Sequence, residues 1–152
     1  MLLEMLDWYR GGVVAKVAGL SEDGARRRLV ASDTTIIGLI KHLALVEDSW
    51  CDGRFAGNPE PPVWADAPFD ADPDWEFHSA VDEPLADVVA LYEAACERSK
   101  ASYGDADLDD VSRNSERPFT LRYALVHLIE ETARHLGHLD VLRELTDGVT
   151  GE

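Results

Sequence analysis

The chain has no apolar run approaching the roughly 18 residues that a membrane-spanning helix needs, so it is not expected to enter a bilayer. Cysteine is scarce. The two present, Cys51 and Cys96, lie far apart within helical patterns, which excludes a disulfide framework and suits free thiols acting as small buried hydrophobes in a reducing compartment. Basic residues are few: 14 Lys and Arg face 30 Asp and Glu, giving a formal net charge of -16 that repels nucleic acid phosphates and anionic lipid. The opening MLLEMLDWYRGG lacks a basic leader region and a small-residue cleavage site, so it reads as a first helix rather than a secretion signal, and a cytoplasmic location is expected.

What is present is enough for one domain over residues 1–152. A chain of this length can bury roughly 70% of the surface its unfolded form exposes, and the 45% hydrophobic fraction is ordinary for a globular protein. Leu2, Leu6, Tyr9, Val13 and Val17 share one face of a helix from Met1 to Ala18. Ser21 can cap a short turn through Arg28, and Ser32, Asp33 or Thr34 can cap a second long helix that continues to Phe55. Residues 56–83 carry five prolines, eight acidic residues and no Lys or Arg, which predicts a long crossover loop. Trp64, Phe69, Trp75 and Phe77 are spaced along it as aromatic anchors onto the helices. A third helix is expected from Pro84 to Tyr103, facing inward with Leu85, Val88, Val89, Tyr92, Ala95 and Cys96. Thr120 is the expected cap of a fourth, ending near Gly148. The pattern is all-α, a four-helix bundle in which the long crossover lets the second and third helices run parallel.

On the fourth helix, Leu121, Ala124, Leu128, Leu139 and Leu142 fall within roughly 40° of His135 at about 100° per residue, and so does Glu131. A carboxylate and an imidazole one turn apart in an apolar seam need a partner, and a cation is one. A histidine–carboxylate hydrogen bond, or an arginine paired with Glu131, would satisfy the same spacing without a metal. His42 on the second helix lies among Leu39, Leu45, Val46 and Trp50, while Lys41, Glu47 and Asp48 point elsewhere. His42, Glu131 and His135 together make a donor set that suits zinc with one position left open, and that would also accept nickel, iron or manganese. His138, roughly 60° from His135, is a fourth ligand, an orienting hydrogen-bond partner or a general base. His127, roughly 80° away, belongs at the edge. Arg134 and Arg143 flank the face, where a solvated role is expected of both.

The segments TTIIGLIKHLALVEDSW, PPVWADAPFDADPDWEF and FTLRYALVHLIEETARHLGHLDVLREL resemble the DinB-like metalloprotein superfamily, and within it the actinobacterial mini-circle protein branch. The resemblance spans nearly the whole chain. It implies an up-down-down-up four-helix bundle, a divalent metal on His42 of IKHLA with Glu131 and His135 of EETARH, and frequent homodimers. Many relatives carry three histidines; the glutamate here resembles the set in the metal-binding domain of mycothiol-dependent maleylpyruvate isomerase. It further implies transfer of a low-molecular-weight thiol, such as mycothiol, to an electrophilic substrate; for that chemistry His138, from its place on the fourth helix, is the candidate catalytic base. A non-enzymatic metal-binding or stress-related dimer is the alternative.

Overall fold

The computed structural model describes residues 1–150, and within them the protein is helical with no strand beyond a single bridge between Val111 and Thr120. The elements are α1 (Leu2–Val17), α2 (Glu22–Arg26), α3 (Ile36–Glu47), α4 (Pro62–Ala65), α5 (Trp75–Ala80), α6 (Leu85–Tyr103) and α7 (Leu121–Asp147). No helix among the described residues is long and apolar enough to cross a membrane.

Local chemistry fixes three of the helix starts. The hydroxyls of Ser21, Thr35 and Thr120 accept from the backbone N–H of Gly24, Gly38 and Tyr123, each satisfying a donor that the first helical turn leaves free. The cap of α3 is thus Thr35, one residue beyond the three expected from sequence. Thr35 is fully buried, so its hydroxyl also avoids an unpaired polar group in the core.

Beyond Glu47 the helix continues without a break but in π winding, Asp48–Ala56, and stops at Gly57, whose φ of 77° places it in the left-handed region. The side chain of Asp52, within this segment, accepts from Asn58 at 2.7 Å and from Ser102 of α6. The wider i→i+5 winding changes which residues face a neighbour, and such stretches recur at functional sites.

Four long helical stretches carry the core. Residue numbers rise together where α1 meets α7, as in Gly12 with Leu136 and Lys16 with Asp140, and where α3 and its π-wound continuation meet α6, as in Glu47 with Cys96 and Asp48 with Arg98. They run in opposite senses where α1 meets α6, with Asp7 beside Lys100 and Arg10 beside Ser99, and where α3 and its π-wound continuation meet α7, with His42 beside His135 and Trp50 beside His127. One apolar cluster forms around Ile37, Ile40, Leu43, Val88, Tyr92 and Leu139; a second gathers Leu6, Cys51, Leu121, Ala124, Leu125 and Leu128.

The crossover contains the short helices α4 and α5 and is tied down as its aromatic content predicts. Trp64 is buried and donates its indole N–H to Asp48 at 2.7 Å, while Arg98 holds both oxygens of the same carboxylate at 2.8 and 2.9 Å. Lys41 is fully buried beneath this segment, bonded to Ser79 and Glu83, with its ammonium 4.2 Å from the centre of the Trp75 ring. Arg143, expected in solvent, is instead buried: its guanidinium donates to the carbonyls of Lys16 and Ala18 at the end of α1, and to Asp147. Those carbonyls lack partners within their own helix, which explains the attraction.

Candidate metal centre

Three of the four residues expected to form a site converge in the seam between α3 and α7. His42, Glu131 and His135 each present one ligand-type atom, and the three atoms lie within 4.8 Å of one another. The rings of His42 and His135 meet edge to face with centroids 5.0 Å apart. Glu131 Oε2 lies 3.2 Å from His135 Nε2, the one-turn spacing that places both side chains on one face of α7.

All three are partly shielded rather than fully enclosed, with side-chain exposures of 24%, 14% and 13% in the same order. Burial, and then repulsion from His42 and His138, pulls His135 below the usual histidine range, although Glu131 pulls the other way. A neutral imidazole keeps a lone pair for coordination.

His138 stands apart from the trio. It is exposed, and its Nδ1 lies 3.2 Å from Nδ1 of His135, so one of these nitrogens donates to the other. Arg134 is solvated as expected and bonds Glu130 at 2.7 Å and Glu131 at 3.1 Å. The arginine partner weighed for Glu131 is therefore present, but it takes only Oε1. Oε2 instead faces Nε2 of His135 at 3.2 Å, which is the histidine–carboxylate contact weighed beside a metal.

Sequence reasoning missed the residue that orients His42. Glu76 of α5 is buried, and its Oε1 accepts the Nδ1–H of His42 at 2.9 Å. Phe77 stacks on the same imidazole with centroids 5.2 Å apart and planes 29° apart. The sequence held a faint signal, since Glu76 sits between Trp75 and Phe77 in an otherwise polar segment. Approach of α5 depends on Gly38, where an added Cβ would lie 2.8 Å from Phe77 Cδ1 and 3.4 Å from its Cα.

Farther along the seam, His127 packs on Trp50 with centroids 4.1 Å apart, and Trp50 also meets Phe119 and Tyr123. These rings lead to a cleft of about 860 Å³ lined by Trp50, Arg54, Arg117, Phe119 and Tyr123 among others. Trp50 lies eight residues beyond His42, roughly 12 Å along a helix at 1.5 Å per residue.

Two independent features favour a cation at the trio. The donor set is two imidazoles and a carboxylate, which matches divalent first-row metals. Glu76 Oε2 is buried and has no hydrogen-bond partner, so the carboxylate behind His42 lacks compensation within the protein. The model of the mycothiol-S-transferase family, MST, matches residues 1–148. The chain belongs to the mycothiol S-transferase family. This is a DinB-like family, in agreement with the resemblance carried by the helix segments around His42 and His135. No curated protein and no solved structure gave a match.

Proposed function

We propose that this protein is a divalent-metal-dependent, mycothiol-type thiol S-transferase, with His42, Glu131 and His135 as the metal ligands and zinc as the preferred ion. The observation that carries the reading is the meeting of these three side chains from α3 and α7 within 4.8 Å in a chain of the mycothiol S-transferase family. The senses in which the four long stretches meet fit an up-down-down-up bundle, with the crossover between α3 and α6 as its long connection. As a single domain it would act as a homodimer in the cytoplasm.

Bound at this position, a divalent cation supplies the charge that brings a thiol, with a free pKa of about 8.5, into its thiolate form near neutral pH. The protein's own groups do the rest. His42, Glu131 and His135 would hold such an ion with three ligands and so leave coordinating capacity for the thiol. His138, exposed beside His135, is the residue that would receive the thiol proton. The sulfur would then form a bond to an electrophilic carbon of the second substrate as that carbon's bond to a leaving group breaks, and the leaving group would depart with the bonding electron pair and take up the proton held by His138. The cleft lined by Trp50, Arg54, Arg117, Phe119 and Tyr123 is the proposed space for the remainder of the ligand. A saturated four-ligand storage site would require His138 in the set, and the three ligand-type atoms that converge are those of His42, Glu131 and His135.

The test is spectroscopic. Cobalt-loaded protein titrated with mycothiol should develop a thiolate-to-metal band and altered ligand-field bands, both absent in Glu131→Ala. A cobalt spectrum that stays unchanged at millimolar mycothiol would remove the thiol chemistry from the reading.

A further inference from the structure

Residues 56–83 contain eight acidic residues, and Glu76 is the one among them that is fully buried. A buried carboxylate without adequate partners costs several kcal/mol, yet Glu76 has only the single bond from His42 Nδ1–H, and its second oxygen has none. Lys41, adjacent to His42 in sequence, points away and is taken by Ser79 and Glu83. Nothing in the fold of α5 requires a carboxylate here, since the Trp75 and Phe77 rings and the Lys41 contacts already hold that helix against α3.

Resting on the metal reading above, we infer that Glu76 is a positioning residue of the site. It fixes the His42 tautomer with hydrogen on Nδ1, and so leaves Nε2 as the coordinating atom. Its charge makes the imidazole a better donor to a cation, and the cation in turn strengthens the N–H bond to the carboxylate. Phe77, stacked on the same ring, restricts its rotation. Both contacts come from α5, so ion binding and docking of the crossover are thermodynamically linked: each strengthens the other by the same factor.

Three measurements test this. In the unmodified, metal-free protein, nitrogen-15 spectra of His42 should show the Nδ1–H tautomer; the Nε2–H tautomer would overturn the inference. In chelator competition with zinc, Glu76→Ala should bind roughly 10- to 100-fold more weakly, and the isosteric Glu76→Gln should fall between it and the parent. In hydrogen exchange, zinc should raise the protection of residues 75–83 in the parent and do so less in Glu76→Ala. If His42→Ala loses the zinc while Glu76→Ala and Glu76→Gln bind it within twofold of the parent, the metal reading stands and the role of Glu76 is refuted. If His42→Ala keeps the zinc, the metal reading itself fails and the inference falls with it.

Discussion

Helix α3 carries polar side chains on two faces, and they meet different fates. On the side facing α1 and α6, Glu47 is buried and takes a bidentate pair from Arg10 at 2.6 and 2.7 Å, with Ser99 and Tyr103 closing on the same guanidinium. Burial opposes the charge on Arg10, but the hydrogen bond and attraction of Glu47 outweigh it and hold the guanidinium more strongly protonated than usual. On the side facing α7, His42, Glu131 and His135 crowd together half-shielded, and a carboxylate oxygen behind them is unpaired. The first cluster is closed: the protein supplies the counter-charge. The second retains coordinating capacity that the protein does not use. Burial of charge alone therefore does not single out a candidate site in this molecule; ligand-type atoms that converge without a counter-charge do.

The comparison breaks most visibly if one member of the closed cluster is removed. Arg10→Ala or Glu47→Ala leaves a buried charge unpaired and should lower unfolding free energy by about 3–5 kcal/mol, measured by urea denaturation. The paired change Arg10→Met with Glu47→Leu should recover most of that loss. If each single variant is as stable as the parent, the cluster is not closed in the sense argued.

The thiols that border it give a second test. Burial pushes both Cys51 and Cys96 up to about 12. Against the ordinary value of 9.0, a shift of about three units reduces the thiolate fraction near neutral pH on the order of a thousandfold. Native protein at pH 8 should resist maleimide labelling, and urea-unfolded protein should label at both positions. For a raised pKa the stabilising contribution is complete below the unfolded value, so stability should decline as pH rises from 9 toward 12. Fast labelling of the folded chain would show that these groups are not enclosed.

A smaller effect sharpens the boundary between the regions. Gly38→Ala drives a methyl group against Phe77, including its backbone, and overpacking of this kind costs about 1–3 kcal/mol. Displacement of α5 should expose Trp75, seen as a red shift in tryptophan emission, and should weaken zinc binding through loss of the Glu76 bond. A variant with unchanged emission and affinity would mean that α5 accommodates the methyl group without moving.

Much of this architecture was legible in the pattern of residues. The inward faces of α6 and α7, the caps Ser21 and Thr120, and the anchoring of the crossover by Trp64 follow from periodicity and local chemistry, which act within a few residues. The convergence of His42 with Glu131 and His135 also followed, because both helices place their polar exceptions among apolar neighbours. Arg10, Lys41, Glu47 and Arg143 were not legible as core residues. Each is buried only because a partner distant in sequence neutralises it or offers it carbonyls, and no single-helix pattern records that partner. Glu76 was hidden for the same reason: its burial depends on where a proline-rich segment settles on α3. The π winding after Glu47 had no sequence counterpart that periodicity could register.

The most direct test is metal analysis of the purified protein with zinc titration of the chelator-treated form, alongside His42→Ala, Glu131→Ala and His135→Ala. Without metal, the three substitutions should change unfolding free energy by less than about 1 kcal/mol, as expected for partly exposed groups outside the closed cluster. With zinc, the parent should bind one ion per chain and each variant should lose stoichiometric binding. Retention of one tightly held ion by all three variants would contradict the account.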